Sequence, residues 1–212
     1  MNNSKAKYSR KQSGFTLIEV LVSITILALV SALSFQAFDM ADRASDVTKR
    51  KLQEIQRIDR FWLALEMDLK NALGYSMTTP YGDSYPAMVV DKSENYWLMF
   101  LRGGKANPML FPRTEITRVG YRYEENTIWR DSWVNPANPD PDEAFAQKML
   151  EGVSEIIGEV LPPQARSIDS NAWLERWPPQ GQPQLLPVAI KITVILEDER
   201  EIYRIFNLVE GL

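Results

Sequence analysis

The chain has 212 residues, with 24 basic and 28 acidic side chains, a formal charge of −4, and neither cysteine nor histidine. Without histidine it lacks the usual general base, the Ser-His-Asp triad and most zinc ligands, and without cysteine it has no disulfide framework. The acidic balance disfavours nucleic acid, which requires clustered Lys and Arg.

The chain opens with Lys5, Lys7, Arg10 and Lys11 and has no acidic residue among its first fourteen. Gly14-Phe15-Thr16-Leu17-Ile18-Glu19 follows, and an apolar run continues to about Phe38. At 1.5 Å per residue, roughly 24 residues make a helix of about 36 Å, enough to cross a ~30 Å hydrocarbon core. The charge asymmetry predicts a cytoplasmic N-terminus and an exported remainder. An ordinary secretory signal places its small-residue cleavage site behind the apolar core. Here Gly14 stands in front, so a cut there leaves the helix on the mature chain. Losing the leader leaves 20 basic against 28 acidic residues, a net charge of about −8.

From Asp39 to Asn71 there is no proline or glycine, and Ile55, Ile58, Trp62, Leu65, Leu69 and Ala72 recur at helical spacing. We expect one helix from about Phe15 to Leu73, naked and apolar first, then amphipathic. Arg57, Arg60, Glu66, Asp68 and Lys70 are expected to lie mostly off its buried stripe. Gly74 reads as the residue after the helix end, and Pro80 blocks continuation. Beyond it, strands are expected at Met88–Val90, Tyr96–Leu101, Ile116–Tyr123, Thr127–Trp133, Val153–Val160, Val188–Leu196 and Ile202–Leu208. Two hairpins are expected, one turning at Glu125-Asn126 and one at Glu197-Asp198-Glu199. In the second, Val188, Ile190, Ile192 and Val194 share a buried face. Asn135–Pro141, Pro162–Ser170 and Pro178–Pro187 read as long irregular connections. The whole is α+β: a long N-terminal α-helix packed on an antiparallel β domain. Its parts are residues 1–14 (leader), 15–38 (transmembrane and assembly helix), 39–73 (amphipathic continuation) and 74–212 (β-rich exported domain).

The basic leader, Gly-Phe-Thr-Leu-x-Glu and the apolar run together resemble the class III signal of type IV prepilins and type II secretion pseudopilins. That resemblance implies cleavage by a prepilin peptidase between Gly14 and Phe15, and N-methylation of Phe15. It also implies a contact between Glu19 and the N-terminal amine of a neighbouring subunit, which sets the stagger during assembly. By geometry alone, Glu19 could instead neutralise the new amine on its own Phe15, about 6 Å away along the axis, or snorkel to headgroups. Downstream, Leu65–Leu69, Arg118–Tyr123, Leu150–Val153, Trp173–Pro179 and Leu186–Ala189 resemble the J-type minor pseudopilin of type II secretion. The J-type resemblance implies two β-sheets arranged as an open barrel, a bacterial inner-membrane anchor and a periplasmic domain. It further implies a pseudopilus-tip complex with I- and K-type minor pseudopilins, above the major pseudopilin, for export of folded exoproteins.

Other readings carry less. Asn138–Glu143 alternates oxygen ligands, but an EF-hand register needs glycine at Glu143 and glutamate at Met149, so a solvated acidic loop is expected and no metal. The tryptophans are assigned to core or interface rather than a sugar platform. Ser13, Ser23 and Ser31 have no base nearby. No acid–base pair stands at informative spacing, so neither catalysis nor a cofactor is expected. The alternatives are a minor pilin of a type IV pilus (adhesion, motility or DNA uptake) and, more distantly, an anchored carboxylate-based hydrolase.

Overall fold

In the computed structural model, residues 14–78, 82, 84–104, 115–165, 172–182 and 185–208 are described. The leader residues before Gly14, Pro80 and most of the expected Pro162–Ser170 connection beyond Ala165 lie outside them. One helix, α1, runs Leu17–Lys70, and the chain divides within it into two units, Met1–Glu54 and Ile55–Leu212.

In the first unit every described side chain of the apolar run is exposed, from Phe15 to Phe38. Among the described residues this is the one helix long and apolar enough to cross a membrane. Three of its hydroxyls are spent locally: Ser23 donates to the Glu19 carbonyl (2.7 Å), Thr25 to Leu21 (2.8 Å) and Ser34 to Val30 (2.8 Å). In hydrocarbon, where an unpaired hydroxyl has no water to turn to, that back-bonding keeps the surface effectively apolar.

The second unit begins with the last turns of α1, which bury Phe61, Trp62, Leu65, Asp68 and Leu69. Fully burying apolar side chains of this size contributes about 1.5–3 kcal/mol each. Ile58 is only partly buried, Ile55 is exposed, and Phe61, outside the expected stripe, is fully buried. The helix stops at Lys70 rather than Leu73 because the chain is captured by a strand. Asn71 Nδ2 donates to the Met67 carbonyl (2.7 Å), Gly103 N–H donates to the Asn71 carbonyl (2.9 Å), and Leu73 N–H donates to Leu101 (2.9 Å). These bonds end the helix before Gly74 is reached.

The strands are β1 (Met77–Thr78), β2 (Ser84–Tyr85), β3 (Met88–Asp91), β4 (Leu98–Arg102), β5 (Thr117–Glu124), β6 (Thr127–Trp133), β7 (Phe145–Glu151), β8 (Val153–Leu161), β9 (Arg176–Trp177), β10 (Ala189–Leu196) and β11 (Glu201–Asn207). They form two principal antiparallel sheets, β7-β6-β5-β4-β3-β9 and β11-β10-β8, beside the short β1-β2 ladder. All seven expected strands are present within a few residues. The unexpected ones are β1, β2, β9 and the edge strand β7.

Both expected hairpins form. Glu125 and Asn126 take φ of 49° and 57°, the left-handed pair of a two-residue turn whose twist suits a hairpin. In the other, Ile190, Ile192 and Val194 are buried as expected, but Val188 precedes the strand and stays exposed. Leu174 bridges β8 at Val160, while neighbouring β9 pairs with β3, so this segment stitches the two sheets together. Gly158 permits their close approach: a Cβ there would stand 3.2 Å from Val90 and 3.4 Å from Trp97.

Trp62, Trp97, Trp133 and Trp177 are core residues, as expected. The Asn135–Pro141 connection is less loose than its composition suggests. Buried Arg118 donates from Nε to the Pro136 carbonyl (2.7 Å), and Trp133 Nε1 donates to Asp140 (2.7 Å). A short 3-10 helix, Pro141–Glu143, follows, capped by the Asp140 side chain.

Candidate functional site: the N-terminal helix and its clamp

Gly14, Phe15 and Glu19 lie together at the start of α1, with Thr16 as the residue before the helix. A Cβ added to Gly14 would meet nothing within 4 Å, so the surrounding fold places no steric demand for glycine there. Phe15 is 86 % exposed. Glu19 is turned back on Thr16. Its Oε2 accepts from the Thr16 N–H (3.0 Å) and the Thr16 hydroxyl (3.1 Å), and Thr16 Oγ1 accepts from the Glu19 N–H (3.4 Å). This reciprocal arrangement is a capping box, and it satisfies donors that a helix N-terminus otherwise leaves free. Thr-x-x-Glu is the sequence signal for it, and Thr16 is the partner that the reading from charge alone did not supply.

At the other end of α1, Asp68 carries the helix onto the six-stranded sheet. Oδ2 accepts from Arg130 Nε (2.6 Å) and Tyr121 OH (2.8 Å), and Oδ1 accepts from Arg130 Nη2 (3.2 Å) and from Arg102 Nη1. One buried carboxylate thus ties the helix to β4, β5 and β6. Its expected place off the buried stripe is wrong, because three donors replace its water. Burial, then the Asp68 charge, push the Tyr121 phenol well above its ordinary range. Burial pulls the Arg130 guanidinium down, but the Asp68 hydrogen bond and charge outweigh it and hold it above its usual value. Trp62 adds an apolar anchor, its ring 6.1 Å from Phe206 on β11.

Among the described residues no group of His, Cys, Asp or Glu is placed to hold a metal. A mostly exposed apolar helix entered through a capping box, and continued into a helix clamped on antiparallel sheets, defines a pilin-like subunit of the pseudopilin class. The first segment matches the prokaryotic N-terminal methylation motif over residues 9–35, and the rest matches the model of type II secretion system protein J over residues 36–208. The chain belongs to the type II secretion system protein J family.

Two relatives named type II secretion system protein J extend the likeness. That of Vibrio cholerae serotype O1 is 28 % identical over 204 residues, 93 % of this chain and 87 % of the relative. That of Escherichia coli is 27 % identical over 207 residues, 94 % of this chain and 97 % of the relative. The fold is shared with a chain in the crystal structure of the GspK-GspI-GspJ complex of enterotoxigenic E. coli. It matches at a TM-score of 0.60 and 23 % identity, covering 75 % of this chain and 99 % of that one. An N-terminal apolar helix in this family fits anchoring in the inner membrane.

Proposed function

We propose that this chain is a low-copy structural subunit of the type II secretion pseudopilus. It would join I- and K-type minor pseudopilins in a complex that caps the fibre tip and starts its assembly, for export of folded exoproteins. The match to the protein J family over residues 36–208 carries this reading. In the solved E. coli complex GspK, GspI and GspJ stand together, and the same association is proposed here.

The prepilin peptidase cuts between Gly14 and Phe15 and methylates the new Phe15 amine. Gly14 suits the cut because, without a side chain, it can enter a narrow protease subsite and keep the local backbone extended. The freed helix stays in the inner membrane with its N-terminus cytoplasmic and the β domain periplasmic. Subunits, the major pseudopilin included, associate chiefly through their apolar helices, and Glu19 takes the amine of a neighbour. The role is scaffolding rather than catalysis.

Deletion of the chain tests this. Loss of exoprotein secretion, restored by the intact chain, is the expected result. Loss of twitching with intact secretion would point to a type IV minor pilin. Co-purification of the full chain in detergent with I- and K-type subunits should give a stable hetero-complex.

A further inference from the structure

β11 is an edge of the three-stranded sheet, and its pairing with β10 runs through seven residue pairs without a break in register. Two bonds at its ends fix which way its main chain points: Leu208 N–H donates to Val188 (2.9 Å) and Leu196 N–H to Arg200 (2.9 Å). Bonded pairs alternate with unbonded ones in an antiparallel ladder, so Ile202, Arg204 and Phe206 are the residues that bond to β10. The N–H and C=O groups of Glu201, Tyr203, Ile205 and Asn207 point off the sheet, and among the described residues none of them has a main-chain partner. Their side chains lie on the outer face, opposite that of buried Ile190, Ile192 and Val194. All four are exposed, Tyr203 at 60 % and Ile205 at 46 %.

Free sheet edges are ordinarily blunted by proline, lysine, a bulge or short length. The other edges of this domain follow that rule. β7 carries Lys148 and its pairing shifts register between Ile128 and Trp129, β9 is two residues long, and β8 exchanges two bonds with Leu174 (2.8 and 2.9 Å). β11 has none of these devices. Its one inward charge, Arg204, is held beside Asp59 (3.6 Å) and over the Trp62 ring, off the free edge. A row of alternating main-chain donors and acceptors is matched by another extended chain, whereas a helix has spent its own main-chain groups internally. The side chains then set what that chain must carry. Tyr203 and Ile205 call for apolar neighbours, and Glu201, beside the tip residues Glu197, Asp198 and Glu199, calls for a basic one.

We propose that β11 takes up an extended segment of a partner protein as an added antiparallel strand. The segment is apolar opposite Tyr203 and Ile205 and basic opposite Glu201. Its main chain supplies the affinity and these alternate side chains the selectivity. This recognition does not depend on which fibre the chain joins.

The test is an NMR titration of the full isotope-labelled chain in detergent micelles. The probe is the peptide acetyl-Thr-Val-Thr-Val-Thr-Lys-amide, made in two forms. One is N-methylated at every threonine, which leaves free the valine and lysine N–H groups that would face β11. The other is N-methylated at the valines and the lysine, which blocks them. Saturable shifts and slowed amide exchange at Tyr203 and Ile205 are expected with the first form, and binding of the second should be weaker by about tenfold or more, the effect of losing hydrogen bonds. Ile205→Thr, on the exposed outer face, should weaken the first form by roughly two- to fivefold. Equal binding of the two forms, no saturable response, or shifts confined to other elements would overturn the assignment. Shifts at Tyr203 and Ile205 that change on dilution of the chain alone would give the edge to a second copy instead, and would overturn it too.

Discussion

Asp68 on the helix holds Arg130 on β6 through two bonds at once, Oδ2 to Nε at 2.6 Å and Oδ1 to Nη2 at 3.2 Å, inside a site where the carboxylate side chain is 3 % exposed. Arg102 and Tyr121 bind the same carboxylate, so one side chain fastens the helix to three strands of the six-stranded sheet. Replacing it with alanine leaves two guanidinium groups and a phenol uncompensated, and a broken buried pair costs about 3–5 kcal/mol. Asp68→Ala should therefore lower the unfolding free energy of the full chain in micelles by that amount, read from denaturant curves by tryptophan fluorescence. A loss below about 1 kcal/mol would mean that the cluster contributes no more than a surface pair.

Two raised phenols, only one of them in the Asp68 cluster, set an alkaline limit. Burial raises the Tyr121 phenol, and burial with the Asp131 hydrogen bond raises that of Tyr96. A group whose folded pKa lies above its unfolded value of about 10 contributes stability that is complete below that pH and lost as pH rises toward the folded value. Arg118 acts in the opposite direction over this range, because burial pushes its guanidinium down to about 10. Its folded form sheds a proton where the unfolded form still holds one, which offsets part of the loss, but it is one group against two. Stability should fall as pH climbs past about 10, and the slope should be shallower in Tyr121→Phe. An unchanged slope in that variant would show that its phenol ionises freely.

Gly120 is required by contact. A Cβ there would sit 2.6 Å from Tyr96 Cδ1 and 3.0 Å from Trp133 Cη2, two rings already packed edge to face at 5.2 Å. Gly120→Ala should cost about 1–3 kcal/mol, the range for overpacking, and should change the near-ultraviolet circular dichroism of the rings. A variant as stable as the parent would mean that the aromatic pair yields without penalty.

At the N-terminus the expected phenotypes separate. Gly14→Val should block processing, visible as retention of the longer precursor on a gel. Glu19→Leu should still be processed and anchored but fail to recruit neighbours, read by cross-linking in the membrane. Normal co-assembly of Glu19→Leu would remove the proposed role of its charge.

Much of this is legible in the residues. The string from Gly14 to Glu19 carries its own chemistry locally, and strands such as Ala189–Leu196 announce themselves through β-branched side chains. Asp68 cannot be read, because an aspartate among helix formers looks solvated. Its donors stand 34, 53 and 62 positions away, and only the folded sheet brings them together. Phe145–Glu151 is hidden for a different reason: as an edge strand with mostly exposed side chains it lacks the alternation that marks a half-buried one. The two-residue strands β1, β2 and β9 are too short to leave a period.

The helix ends by handing its backbone to β4, through Gly103 to Asn71 and Leu73 to Leu101, just beyond the Asp68 clamp. Tension drawn along the last turns of α1 is therefore shared among a carboxylate gripping three strands and two main-chain bonds. No single contact acts as the weak link, so helix and sheet part only when several attachments yield together.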